Sequence, residues 1–169
     1  MAPMALARKN SAVAVLEGKL CAVGGFNGDY LNSVERYDPA ANAWEAVVPM
    51  AAARDYHAVA VLDGKVYAVG GYGLSSVERY DPAANAWEEV APMAEERYDH
   101  ALAVLDGKLY AVGGYNDGGT LSSVERYDPA HAWEAVAPMA AARDSHAVAV
   151  LDGKLYAVGE YNADDGDLS

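Results

Sequence analysis

The sequence predicts an all-β protein in which one small unit of strands is repeated along the chain. Three observations predict it. The hexapeptide Val-Glu-Arg-Tyr-Asp-Pro begins at Val34, Val77 and Val124, each time with a Gly-Gly pair before it and a Trp after it. A Pro-Met pair stands at Pro3-Met4, Pro49-Met50, Pro92-Met93 and Pro138-Met139, in steps of 46, 43 and 46 residues. A fixed period of this size means one supersecondary unit stacked on copies of itself. Finally, no stretch carries the i, i+3, i+4, i+7 apolar pattern of a helical repeat. Short runs of Val, Ala, Leu and Tyr, broken by Asp-Gly and Asp-Pro, take its place.

The second unit shows the elements in order. Residues 57–62 (HAVAVL) form the first strand. Asp63-Gly64 follows as a two-residue hairpin turn, because both central positions of that turn need φ > 0. Residues 65–69 (KVYAV) form the second strand and end on Gly70-Gly71, after which comes a loop of variable length. Residues 76–80 (SVERY) form the third strand. Asp81-Pro82 opens the next turn, Asp suiting its first position and Pro being pre-set for its second. Residues 86–90 (AWEEV) form the fourth strand. Four antiparallel strands per repeat make the blade of a β-propeller.

The ordered set of Gly-Gly, Tyr before Asp-Pro, Trp, Pro-Met and Arg-x-x-His resembles the kelch repeat. It runs through Gly24-Gly25, Tyr37, Trp44, Pro49-Met50 and Arg54/His57, then Gly70-Gly71, Tyr80, Trp87, Pro92-Met93 and Arg97/His100. A third pass runs through Gly113-Gly114, Tyr127, Trp133, Pro138-Met139 and Arg143/His146. The WD40 repeat has a similar period, but neither a Trp-Asp nor a Gly-His pair occurs here. The resemblance covers essentially the whole chain. It implies a partial kelch-type propeller of about three and a half blades in one domain, 1–169. The blades are expected at about 11–48, 57–91 and 100–137, with a half blade at about 146–160.

The fourth unit has its first hairpin, and then Gly-Gly becomes Gly159-Glu160. An open stack exposes apolar blade faces and an unpaired strand edge. Three readings stay open: a fragment of a longer protein, closure by a second copy, or an open arc.

The 169 residues suffice for a sizeable core, although much of the 53% hydrophobic content is Ala. The net charge of −13 argues against nucleic acid and against anionic membranes, both of which demand clustered Lys and Arg. No basic head precedes an apolar run at the start, and no stretch approaches membrane-spanning length. The single cysteine, Cys21, excludes an internal disulfide and stands where Tyr67, Tyr110 and Tyr156 stand in the other repeats, as a small buried hydrophobe of strand two. A cytoplasmic location is the expectation.

His57, His100 and His146 begin equivalent inner strands and could converge on the axis. Each belongs to the repeated Arg-x-x-His element, and Ser11 holds the same place in the first repeat. The expectation is therefore three histidines bonded to neighbouring backbone, with no metal and no cofactor. Arg54, Arg97 and Arg143 are expected to pair with a nearby carboxylate or carbonyl. Glu35-Arg36, Glu78-Arg79 and Glu125-Arg126 read as a solvated strand whose neighbouring residues face opposite ways. The tail at 162–167 resembles a Ca²⁺ loop only faintly and reads as a truncated blade loop.

Variation among near-identical repeats is more informative than what recurs. Two loops vary: the one after Gly-Gly and the one between blades. In repeat folds such variation gathers on the binding face. The candidate partner-binding residues are Asn10, Phe26, Tyr56, Tyr72, Tyr98, Asp99, Tyr115, Asn116, Asp144 and Ser145. The resemblance points in particular to Tyr56, Asp99 and Ser145 between blades, and to Phe26, Tyr72 and Tyr115 after Gly-Gly. In kelch substrate-recruiting proteins these loop classes grip a peptide. The Arg-rich pocket of members that bind acidic peptides is not reproduced. The expected function is a protein-interaction module that binds a protein or peptide. Self-assembly into a homo-oligomer is the alternative. A kelch-type enzyme is a minor one, because catalysis needs non-equivalent residues converging on one place.

Overall fold

The computed structural model describes residues 1–159, and all regular structure among them is β. The first sheet has the order β1 (Ala12–Leu16), β2 (Lys19–Val23), β3 (Val34–Asp38), β4 (Ala43–Val47). The second repeats it with β5 (Ala58–Leu62), β6 (Lys65–Val69), β7 (Val77–Asp81) and β8 (Ala86–Val90). The third has β9 (Ala101–Leu105), β10 (Lys108–Val112), β13 (Val124–Tyr127) and β14 (Trp133–Val136). Between β10 and β13 the longest variable loop forms its own small hairpin, β11 (Tyr115–Asn116) with β12 (Gly119–Thr120), where sequence gave no strand signal. A final pair, β15 (Ala147–Leu151) and β16 (Lys154–Val158), starts a fourth blade. The architecture is a partial propeller. Strands β1, β5, β9 and β15 lie side by side around its axis. The tail at 162–167 and Glu160 fall outside the described residues.

The turns follow their chemistry. Asp63 and Gly64 take φ of 51° and 71°, as the two-residue hairpin requires. The register of strands two to four aligns Val66, Tyr80 and Trp87 in a row, with Leu20, Tyr37 and Trp44 equivalent in the first blade. Each Tyr–Trp pair packs with ring centroids 5.3 Å apart.

The core lies between blades. Leu16, Cys21, Val23, Val34 and Met50 of the first unit pack on Val66, Ala68 and Tyr80 of the second. Leu62, Tyr67, Val69, Val77 and Met93 repeat the arrangement against Leu109, Ala111 and Tyr127. Cys21 is a buried member of the first cluster, and burial raises its thiol pKa.

The expected solvated strand is corrected in part. The outermost strand is the fourth, and the third places Glu35, Glu78 and Glu125 inside. Each accepts an arginine: Arg8 at 2.7 Å, Arg54 at 3.0 Å and Arg97 at 2.8 Å. Each also accepts backbone N–H groups of the inter-blade segment, as Glu78 does from Ala51 and Ala52. Arg36, Arg79 and Arg126 point the other way, to Glu45, Glu88 and Glu134 of the outer strand. Alternation along the strand thus puts one ion pair inside and one at the surface.

Candidate functional site

The two variable loop classes are joined to each other by backbone hydrogen bonds. Lys9 and Phe26 exchange N–H···O bonds of 3.0 and 2.9 Å, and Tyr98 and Tyr115 exchange bonds of 3.0 and 2.8 Å. In the second unit the Tyr72 N–H donates to the Asp55 carbonyl at 3.0 Å. The approach is close enough to exclude a side chain: a Cβ on Gly25 would lie 2.6 Å from the Lys9 carbonyl oxygen. This is why the Gly-Gly pair stands in front of each variable loop.

One residue after each contact, the inter-blade loop turns left-handed. Asn10, Tyr56, Asp99 and Ser145 have φ of 51°, 55°, 51° and 49°. Asn and Asp tolerate that region, but for Tyr56 it is an outlier that the surroundings must hold. The Asp99 N–H donates to the Tyr56 carbonyl at 3.0 Å, and the Ser145 N–H to the Asp99 carbonyl at 2.9 Å. This chain of bonds runs from one unit to the next around the axis. The four residues line a single mouth of about 350 Å³, whose wall is completed by Ser11, His57, His100 and His146.

An aromatic ridge runs out from the mouth. Tyr56 packs on Tyr98 at 6.3 Å, and Tyr98 touches both Tyr115 at 5.5 Å and Tyr72 at 5.2 Å. Tyr72 stacks on Tyr30 at 6.3 Å, and Tyr30 meets Phe26 edge-on at 5.6 Å. The Lys9 ammonium ends the ridge, 5.0 Å above the Phe26 ring. Tyr30, Tyr56 and Tyr72 are 53%, 40% and 56% exposed, which is a large aromatic area left in water.

The mouth is acidic. Burial, with the neighbouring Asp144 and Asp55 carboxylates, pushes the Asp99 carboxyl up to about 6. Burial also raises Asp144, against a hydrogen bond from the Thr120 hydroxyl at 3.1 Å. Asp55 is buried with Oδ1 unpartnered. His57 and His100 are buried, their ring edges packed over Gly24 and Gly70 of the preceding blade, with the backbone of Val23 and of Arg97 as their hydrogen-bond neighbours. Burial and the guanidinium of Arg54 or Arg97 hold the two imidazoles neutral, with pKa values of about 3.

Of the sequence candidates, the structure brings Asn10, Tyr56, Asp99 and Ser145 into the mouth, and Phe26, Tyr72, Tyr98 and Tyr115 onto the ridge beside it. Asp144 is buried behind the mouth. Asn116 belongs elsewhere, since its Oδ1 accepts the Gly118 N–H and shapes the tip of the β11–β12 hairpin. Sequence reasoning missed Tyr30 and Asp55. Both lie in the two variable loops, and Tyr30 is a further aromatic in the same loop as Phe26. Among the described residues, no group of three or more His, Cys, Asp or Glu is placed to hold a metal ion, and no helix is long and apolar enough to cross a membrane.

Comparison with known proteins agrees with this geometry. The kelch motif matches three times, at residues 7–51, 53–94 and 96–140. Kelch-like protein 35 of Homo sapiens is 60% identical over 35 residues, which are 20% of this chain and 6% of that protein. Its Mus musculus counterpart is 48% identical over 48 residues, 28% of this chain and 8% of that protein. The chain therefore matches under a tenth of the length of these relatives. A solved structure titled "Structure of YjhT" superposes with a TM-score of 0.82 at 17% identity, covering 90% of this chain and 59% of that one. That likeness bears on the fold alone. With three motif matches spanning most of the sequence and blades of the matching architecture, the chain belongs to the kelch-repeat family of β-propellers.

Proposed function

We propose that this chain is a protein-interaction module which binds a peptide or protein segment across the mouth and the tyrosine ridge. The observation that supports it best is the convergence of non-equivalent side chains from equivalent positions. Asn10, Tyr56, Asp99 and Ser145 differ in chemistry yet share one mouth, beside Tyr72 and Tyr30, which stay exposed. Rigid aromatics flanked by polar groups are the usual anchors of recognition surfaces. Catalysis is not part of this reading, because most polar groups recur in every blade and serve the scaffold. A random peptide library displayed on phage tests it. Selection on the wild-type chain should enrich a motif that the Tyr72→Ala and Tyr56→Ala variants, folded by circular dichroism, do not retain. Equal retention by both variants would overturn it.

A second reading, self-association, is favoured by a different observation. An apolar groove of about 310 Å³ lies between the third sheet and β15–β16, lined by Tyr110, Val112, Val136, Met139, Val148 and Leu155. Val13 and Val15 of β1 are 58% and 61% exposed at the opposite end of the stack. Every internal face already packs on a near copy of itself, so a second chain offers the matching surface. Light scattering after size exclusion, over a hundredfold range of concentration, tests this, and a constant monomer mass removes it.

A further inference from the structure

The chemistry of the mouth narrows the partner that the binding reading requires, and the inference rests on that reading. Three carboxyl groups from successive inter-blade loops, Asp55, Asp99 and Asp144, crowd the mouth or lie directly behind it. Among the described residues no Lys or Arg forms an ion pair with any of them, although Glu35, Glu78 and Glu125 on the third strands are all paired with arginines. A second observation is that the Oδ1 of Asp55, on a residue 6% exposed, has no hydrogen-bond partner within the protein, and buried polar atoms left so are rare in folded proteins.

The same opening is walled by tyrosine. Tyr56 lines it and packs on Tyr98, which packs on Tyr72 and Tyr115. Aromatic faces attract ammonium and guanidinium groups, and this chain already makes such a contact, Lys9 standing over Phe26 at the ridge's far end. A guanidinium brings several donors and no acceptor, and an ammonium brings three, which is the complement of carboxylates.

We infer that the mouth at Asn10, Tyr56, Asp99 and Ser145 receives an arginine or lysine side chain of the bound peptide, whose flanking residues lie on the ridge of Tyr98, Tyr72 and Tyr30. Asp99 supplies the central carboxylate, Asp144 and Asp55 the field behind it, and the cavity of about 350 Å³ accommodates one long side chain. Partners with an acidic side chain at this position are excluded by the same charges.

The test is a peptide array in 150 mM salt, probed with the full chain. Ten-residue peptides carry Arg, Lys, Gln or Glu at the centre, and the flanking positions are randomised identically in each set. The expected result is at least a tenfold excess of binders in the Arg and Lys sets over the Gln set, and none in the Glu set. Asp99→Asn should reduce the excess to near parity while keeping the Gln binders. Glu88→Gln, on the outer strand, should leave the excess unchanged and so separates the mouth from the general attraction of a chain of charge −13. Equal numbers in the Arg, Lys and Gln sets would overturn the cationic side chain and leave the binding reading standing. An excess that survives Asp99→Asn would overturn the assignment of the mouth. Absence of binders in every set would overturn the binding reading, and this inference with it.

Discussion

The Arg54 guanidinium meets the Glu78 carboxylate at 3.0 Å with the two side chains 0% and 4% exposed. The same guanidinium donates to the Gly70 and Ser76 carbonyls, each at 2.8 Å, while the Arg54 carbonyl accepts the Gly25 N–H of the preceding unit, also at 2.8 Å. One residue therefore bonds two blades, by backbone to the first and by side chain to the second. Arg97 repeats both halves, its carbonyl accepting the Gly71 N–H at 3.0 Å, and Arg8 repeats the side-chain half.

Removing one partner of such a pair strands the other in the core. Glu78→Ala should cost about 3–5 kcal/mol of unfolding free energy. Arg79→Ala, which breaks the neighbouring surface pair with Glu88, should cost no more than about 1 kcal/mol. Urea titrations of the two variants measure the contrast directly. Similar losses would mean that the inner pair does not hold the blades.

The Gly-Gly pairs set a second contrast. A Cβ on Gly24, at φ +58°, would fall 2.6 Å from the Arg54 carbonyl oxygen, whereas one on Gly64, at φ +71°, meets nothing within 4 Å. Gly64→Ala should cost only its backbone strain, about 1 kcal/mol. Gly24→Ala should exceed that, because the inter-blade loop must also move. Thermal unfolding of both variants decides it, and an equal drop in Tm would refute the steric argument.

Much of this scaffold was legible in the sequence, and the reason is repetition. Asp63-Gly64 and the Tyr80–Trp87 row declare turn and register in every copy, so local chemistry and period agree. The buried glutamates were not legible. Val-Glu-Arg-Tyr reads as an exposed strand because nothing local shows that Arg54, 24 residues earlier, folds back onto Glu78. The Arg-x-x-His spacing likewise did not show that the ring of His57 is packed where Gly24 lacks a side chain. For the candidate site, loop variation located the face, but only the left-handed turn at Tyr56 and Asp99 shows which side chains share one mouth.

Those histidines make stability depend on pH. His57 and His100 have folded-state pKa values of about 3, below the ordinary 6.5. Below pH 6.5 the unfolded chain takes up protons that the native rings refuse until about pH 3. Each ring thus removes stability across that window, by about 1.4 kcal/mol per pH unit, and has no effect above it. Urea midpoints should be level from pH 8 to 7 and fall steeply from 6 to 4. His100→Gln should lessen the slope by one ring's share, and an unchanged slope would show that His100 is not buried as a neutral group.

Asp99 acts in the opposite direction. Its folded-state pKa, about 6, lies above the ordinary 3.8, so the native state binds the proton more tightly. Ionisation costs stability as pH rises from 3.8 through 6, and the cost is complete above that. Asp99→Asn should therefore raise Tm at pH 7.5, with the gain vanishing near pH 4. A gain that is the same at both values would point to packing and not to charge.

The last hairpin should be the least protected part of the propeller. Among the described residues β15 and β16 pair only with each other, whereas β5 and β6 continue into β7 and β8. Leu151 and Val158 are 59% and 64% exposed, while Leu62 and Val69, their equivalents in the second blade, are 4% and 0% exposed. Exposed side chains and the lack of a third paired strand among the described residues make local opening cheap. Native-state hydrogen exchange should find the amides of Ala147–Leu151 and Lys154–Val158 exchanging at least a hundredfold faster than those of Ala58–Leu62 and Lys65–Val69. Protection that rises with protein concentration would place a second copy on this edge. Protection equal to that of the second blade at every concentration would contradict the open hairpin.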